Sequence, residues 1–308
     1  MRWMPICRSR ERCEELVSCV ADHPVAGQFS RRRGALRDGL RAVLLARGAG
    51  RKPASGSGRA HQHTAVIADV HGNAPALEAV LAECARLSVD SYLFLGDAVG
   101  YGPKPRECVQ RLAELRRAQC IRGNHDHAMG SGVFDTGMNR LARSCAGWTH
   151  EQLSREEREW LVTLPLDAGG DGWLAVHGAP KDPRRFFAYV YELTFEENLE
   201  HIARNNVQLC FCGHTHVQFV HERTLAGGYR KTGTPEHSKL ERGRTLLINP
   251  GSVGQPRDGD VRAAFAVWHR EQESVSLHRV PYAVELVVES LRELNLPHEL
   301  GERLLRGA

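Results

Sequence analysis

Five short apolar runs in this chain each stop at a polar cluster, and that repetition constrains the fold more than any other feature of the sequence. Thr64 to Ala68 runs into Asp69-Val-His71. Ser91 to Leu95 runs into Gly96-Asp97. Ala118 to Arg122 runs into Gly123-Asn124-His125-Asp126. Gly172 to Val176 runs into His177-Gly178, and Val207 to Cys212 into Gly213-His214-Thr215-His216. Runs of this length and composition read as buried strands. Helical patterns separate the first three, with apolar faces such as Leu77, Val80 and Leu81. A β-α-β-α-β order predicts a largely parallel sheet with helices against it, and such sheets bind ligands beyond the carboxyl ends of their strands. All five polar clusters would lie along that edge.

The local chemistry adds detail. Gly123 and Asn124 predict a sharp turn through positive φ, aiming Asn124, His125 and Asp126 beyond the sheet. Asp69 and His71 are two apart in a segment read as extended, so they share a side; His214 and His216 repeat the spacing. Pro75 suits a helical first turn. Residues 139–164 are expected to be helical, with Ser154 and Glu157 spaced as a capping box, and Thr194 and Glu197 form a second box opening a helix to Asn205. Residues 219–249 read as antiparallel strands, and 263–268 with 274–279 as a hairpin. A helix over 283–294 and a short amphipathic tail complete the pattern.

Charge separates an extension from the body. Residues 1–60 hold 13 Lys/Arg against 5 Asp/Glu, and the remainder 28 against 32. The body is mildly acidic, which argues against a nucleic-acid-binding face. Residues 1–62 read as a basic, disordered extension ending in a Gly/Ser/Pro linker, and 63–308 as the folded domain. No run of about 20 apolar residues predicts a membrane span. The nine cysteines are odd in number and mostly sit in apolar runs, as expected of reduced thiols in a cytoplasmic protein. Cys210-Phe-Cys212 is too tight for the usual zinc spacing.

Taken jointly, the strand ends supply imidazoles, an amide and carboxylates. That mixed set is too large for one tetrahedral metal and suits two adjacent ones. The order D-x-H, G-D, G-N-H-D, V-H-G, G-H-T-H resembles that of the calcineurin-like metallophosphoesterases over roughly residues 64 to 280. The stretches 96–103 and 249–258 look closest to a bacterial diadenosine-tetraphosphatase-like and phosphodiesterase-like branch. The resemblance implies an α/β fold, a four-layer αββα sandwich of two mixed sheets flanked by helices. It implies one metal on Asp69, His71, Asp97 and His216, and a second on Asp97, Asn124, His177 and His214, with Asp97 bridging. It makes His125 a general acid toward the leaving group, acting as imidazolium, with Asp126 orienting it.

The implied reaction is hydrolysis of phosphomonoesters or phosphodiesters, nucleotides among them, by in-line attack of a hydroxide shared by two divalent metals. A protein phosphatase or a dinucleoside polyphosphate hydrolase would use the same chemistry; a non-catalytic metal-binding scaffold that keeps the fold without turnover is the remaining alternative, but no member of the ligand set is missing. Imidazole and carboxylate ligands suit Mn, Fe, Co, Ni or Zn better than Mg or Ca, and Mn is the first choice. Candidate substrate contacts are Tyr101, Arg122, Arg184 and Arg185, from loops beside the motifs. Asn249-Pro-Gly-Ser252 is expected to close the site structurally.

Overall fold

Alternation inside the buried runs decides which layers each strand joins. In β1 (His63–Ile67), Ala65 and Ile67 face one core, while Val66 and the following Ala68 face another. A strand buried on both faces needs a layer on each side, and this chain supplies helices on one and a second sheet on the other. The structure is a computed structural model and describes residues 62–134, 138–184, 188–235 and 237–308. The expected basic extension, residues 1–60, and Arg185 lie outside the described residues.

Two six-stranded sheets result. The first runs β3 (Ala118–Cys120), β2 (Ser91–Phe94), β1, β11 (Ala263–His269), β12 (Ser274–Val280) and β9 (His237–Lys239). The second runs β4 (Asp167–Gly170), β5 (Trp173–Val176), β6 (Leu209–Phe211), β10 (Thr245–Asn249), β7 (Phe219–Arg223) and β8 (Tyr229–Gly233). Both are mixed: β1, β2 and β3 are parallel, as are β5, β6 and β10, and the other pairings are antiparallel. The parallel pairing predicted for the first three strands is present, as is the sandwich implied by the resemblance; the expectation that all five polar clusters lie along the edge of one sheet is corrected, since they come from two.

Val66, Leu93, Leu95 and Ile121 meet Phe211, Val220, Leu246 and Ile248 between the sheets. Each such side chain stabilises the stack by about 1.5–3 kcal/mol relative to exposure. On the outer face of the first sheet, Leu77 and Val80 of α1 (Ala74–Arg86) and Leu112 of α2 (Pro105–Glu114) share one core with Ile67, Phe94 and Phe265. Met129 of α3 (Asn124–Ser131), Cys145 of α4 (Arg140–Gln152) and Leu161 of α5 (Arg155–Thr163) belong to the same core. So do Leu291 of α7 (Val284–Glu293) and Leu304 of α8 (His298–Arg306). On the second sheet, Leu199 and Ile202 of α6 (Phe195–Arg204) pack on Cys210 and Leu247.

The cap chemistry sets the helix starts. The helical stretch expected over 139–164 is two helices, α4 and α5, and the expected box opens the second: the Ser154 hydroxyl accepts from Glu157 N at 3.2 Å, and the Glu157 carboxylate accepts from Ser154 N at 2.7 Å. The box expected at Thr194 does not form. Its hydroxyl accepts from Tyr191 N at 2.8 Å and donates to Tyr189 O at 3.1 Å, so it holds the preceding loop instead. Among the described residues no helix is long and apolar enough to cross a membrane.

Candidate metal centre

The five polar clusters come from both sheets and meet where the carboxyl ends of β1, β2, β3, β5 and β6 converge. Backbone hydrogen bonds tie these ends together: Asp69 N to Gly96 O at 3.0 Å, His71 N to Asp97 O at 3.0 Å, and Gly213 N to His177 O at 2.8 Å. The turns are left-handed. Asp69, His71, Asp97, Tyr101, His214 and His216 all have φ between 49° and 68°. Each such residue costs roughly 1 kcal/mol, offset here by the cross-links. Asp69 and His71 do share a side, but through these turns and not through the pleat of an extended segment, whereas His214 and His216 go to different groups of donor atoms.

Three histidines have their tautomers set by carbonyl oxygens, which can only accept. His71 Nδ1 donates to Val99 O at 3.0 Å, His216 Nδ1 to Gln255 O at 2.7 Å, and His177 Nδ1 to Leu95 O at 2.8 Å. In the neutral ring, each Nε2 then carries a lone pair. Yet His71 Nε2 and His216 Nε2 face one another at 3.1 Å, with Asp69 Oδ1 3.9 and 3.5 Å away. Burial holds His71, His214 and His216 well below the imidazole range, so they stay neutral at pH 7. Two lone pairs aimed at each other beside a carboxylate repel unless a cation lies between them.

A second group adjoins the first. His177 Nε2 lies 3.0 Å from Asn124 Oδ1, 3.1 Å from His214 Nδ1 and 3.4 Å from Asp97 Oδ2. Burial alone would lower the His177 pKa, but the Asp97 carboxylate outweighs it and raises the ring to about 9. Asp97 Oδ2 also lies 3.6 Å from His71 Nε2, so it stands between the two groups, and it has no hydrogen-bond partner. His214 Nε2 is likewise buried and unpartnered. Asp69, His71 and His216 form one constellation of donor atoms that could hold a metal, and Asp97, His177 and His214 another. The donor set fits divalent cations of borderline softness.

The Gly123 turn differs from the expectation. Gly123 is extended, with φ −92° and ψ 177°, and is the N-cap of α3. Glycine is required there for close approach: a Cβ would lie 2.0 Å from Asp97 Oδ1. The predicted His125–Asp126 pairing is also corrected. Asp126 Oδ2 accepts from Asp97 N at 2.7 Å and Gly123 N at 3.0 Å, and Oδ1 accepts from Ala98 N at 2.7 Å. Asp126 clamps two strand ends together and leaves the His125 ring alone. His125 Nδ1 has no hydrogen-bond partner, and the ring packs 4.7 Å from both His71 and Tyr101. Burial lowers its pKa to about 4, so in the resting protein it is neutral and not the imidazolium expected. His71, Asp97 and His125 make a third close set of donor atoms.

Residues 63–273 match a family model described as the calcineurin-like phosphoesterase superfamily domain. The chain belongs to that superfamily. An uncharacterized protein of Methanocaldococcus jannaschii is 33% identical over 250 residues, covering 79% of this chain and 97% of its own. A solved metallophosphoesterase from Sphaerobacter thermophilus is 35% identical and superposes with a TM-score of 0.69, covering 81% of this chain and all of its own. A hypothetical protein from Pyrococcus horikoshii, 23% identical with a TM-score of 0.65 over 80% of this chain and 98% of its own, shares the fold.

Around the centre of this superfamily member the expected substrate contacts divide. Tyr101 is buried against it, 4.9 Å from the His71 ring. Arg122 turns away: its guanidinium donates to Val162 O in the last turn of α5, where a cation complements the exposed carbonyls. Arg184 is exposed on the loop after β5 and does not line the cleft beside His214. Asn249 and Ser252 close the site as expected. Asn249 Nδ2 donates to Gly213 O at 2.8 Å, and Ser252 Oγ to Asp69 O at 2.7 Å.

Two site residues escaped the sequence reading. Arg257 lies 5.8 Å above the Tyr101 ring, donates to Gln255 Oε1 at 2.6 Å, and keeps a buried, unpartnered Nε. Tyr189 stacks on the His214 ring at 3.9 Å. Neither stands in a metal-ligand spacing, so only the fold reveals them.

Proposed function

We propose that this protein is a metal-dependent phosphoesterase with a dinuclear centre. Asp69, His71 and His216 would hold one divalent cation, Asn124, His177 and His214 the other, with Asp97 contributing its carboxylate to both. The observation that carries the reading is the facing pair of neutral Nε2 lone pairs on His71 and His216, beside an unpartnered Asp97 oxygen. When bound, two such cations acidify water and neutralise phosphoryl oxygens. Arg257, in place of the expected Arg122 and Arg184, supplies a fixed positive charge for the phosphate, and Tyr101 walls the site. His125 protonates the leaving oxygen. A bound phosphate raises the His125 pKa from its low resting value, because a nearby anion favours the cationic ring. Asp126 positions Asp97 and the start of α3.

Manganese is the first cation to test, and phosphomonoesters or phosphodiesters, nucleotides included, are the substrate class. A reducing compartment such as the cytoplasm fits the buried thiols Cys84, Cys108, Cys145, Cys210 and Cys212, none of which is in a disulfide. Dialysis against EDTA should abolish hydrolysis of p-nitrophenyl phosphate and its bis ester, and Mn²⁺, Co²⁺ or Ni²⁺ should restore it. Full activity in excess EDTA overturns the proposal. Residues 63–308 form the catalytic domain in this reading, since the first strand begins at His63. Removing residues 1–60 is expected to leave kcat/KM within about twofold, because surface changes away from a site shift energies by ~0.5 kcal/mol or less. An insoluble or inactive truncation would assign the extension a part in the fold.

A further inference from the structure

A cleft of about 500 Å³ opens directly beside the centre, lined among others by Tyr189, Tyr191, Phe219, His221, Lys231 and Arg257. That volume is in the range of small-molecule sites. Its walls are aromatic and ordered. On one side the rings of His214, Tyr189 and Tyr191 form a ladder. Tyr189 lies 3.9 Å from His214 at 21°, and Tyr191 lies 5.1 Å from Tyr189 at 22°. Phe219 and His221, which also line the cleft, stack at 4.2 Å and 12°. Thr194 holds the Tyr189–Tyr191 loop through two side-chain hydrogen bonds, so the ladder is fixed by more than its own stacking.

The outermost rung is unusual for its exposure. Tyr191 is 55% exposed, with one face of the ladder left open to the cleft. The inner rung, Tyr189, touches a proposed metal ligand. Arg257 lies at the junction, near Tyr101 on the centre side and among the lining residues on the cleft side. A ligand with an anionic end at Arg257 and the centre would therefore place its other end, a few ångströms outward, between aromatic walls. Lys231, paired with Glu192 at the rim and 5.2 Å from the Phe195 ring, leaves the mouth polar.

We infer that this cleft binds the organic part of the substrate, and that this part carries a planar, nucleobase-sized ring: the substrate is a nucleoside phosphate ester, its base stacked on Tyr191 and Tyr189 and its phosphate on Arg257. The inference rests on the phosphoesterase reading above. Stacking suits the geometry because each base has a π-face, and base–aromatic contacts respond strongly to alanine substitution. An aliphatic or sugar ester would leave the ladder's outer face wet.

The test compares AMP with ribose 5-phosphate, which share the phosphate and sugar and differ in the base. Equilibrium titration of the Mn²⁺-loaded full chain should give at least about tenfold tighter binding of AMP, the scale of one stacked base. Tyr191→Ala should erase the difference while leaving ribose 5-phosphate unaffected, and Tyr191→Phe should keep it. Leu193→Ala, on the same loop and 94% exposed, should change neither ligand. Equal affinities in the wild type, no binding of AMP, or a preference that survives Tyr191→Ala overturns the inference. Turnover of the p-nitrophenyl esters separates the two readings. If they are hydrolysed in a metal-dependent way without any base preference, the cleft assignment falls and the phosphoesterase reading stands.

Discussion

Asp97→Asn is expected to abolish metal binding and turnover together, while the protein still folds. The reason lies in which oxygen does what. Asp97 Oδ1 accepts from His125 N at 2.9 Å, a contact the Asn carbonyl can keep. Asp97 Oδ2 stands 3.6 Å from His71 Nε2 and 3.4 Å from His177 Nε2, without a hydrogen-bond partner of its own. An amide there removes a charge shared by two sites and points N–H groups at the place a cation would occupy. The loss should be at least on the order of 10³ in kcat/KM, since metal stabilisation of transition-state charge is worth several kcal/mol. Elemental analysis should find well under one metal per chain, and circular dichroism should show a cooperative melt. Two tightly held metals in Asp97→Asn would remove Asp97 from the bridging position.

His125→Asn should behave in the opposite way toward metal. The backbone amide that contacts Asp97 is retained, and the ring it removes contacts His71 and Tyr101 by packing. Metal content should stay at the wild-type value. Turnover of alkyl phosphoesters should fall by about 10²–10⁴, the usual cost of losing a general acid. For p-nitrophenyl esters the fall should be much smaller, because that leaving group departs with little help from a proton. His71, Asp97 and His125 also come close enough to share a cation, so the experiment is decisive. A metal lost from His125→Asn makes His125 a ligand. An equal fall on both ester types removes it from leaving-group protonation.

How much of this was legible in advance depends on the kind of residue. Asp69, His71, Asp97, Asn124, His177, His214 and His216 were readable because each sits one to five residues past a buried strand. A strand end fixes position in space nearly as well as it fixes position in sequence. Arg122 shows where that reasoning stops. It also follows a strand, yet its long side chain swings to the Val162 carbonyl, and nothing local sets that choice. Asp126 was seen as functional for the wrong reason. Three backbone amides from two strand ends compete for its oxygens, and two of them are donated by residues almost 30 positions earlier.

The sequence by itself determined the apolar runs, their polar ends and the chemistry those ends can perform, because strand burial and side-chain type are local properties. Its order of motifs also carried the family. The tertiary structure alone decided which strands pair within each of the two sheets: β11 inserts beside β1 from late in the chain, and β10 lies between β6 and β7. It decided that Gly123 serves close approach to Asp97 and not a left-handed turn. It placed Arg257 over Tyr101, 156 residues earlier in the chain, and Tyr189 on His214, 25 residues later. Those outcomes depend on which distant backbone comes to lie against which, and a pattern of neighbours along the chain does not encode that.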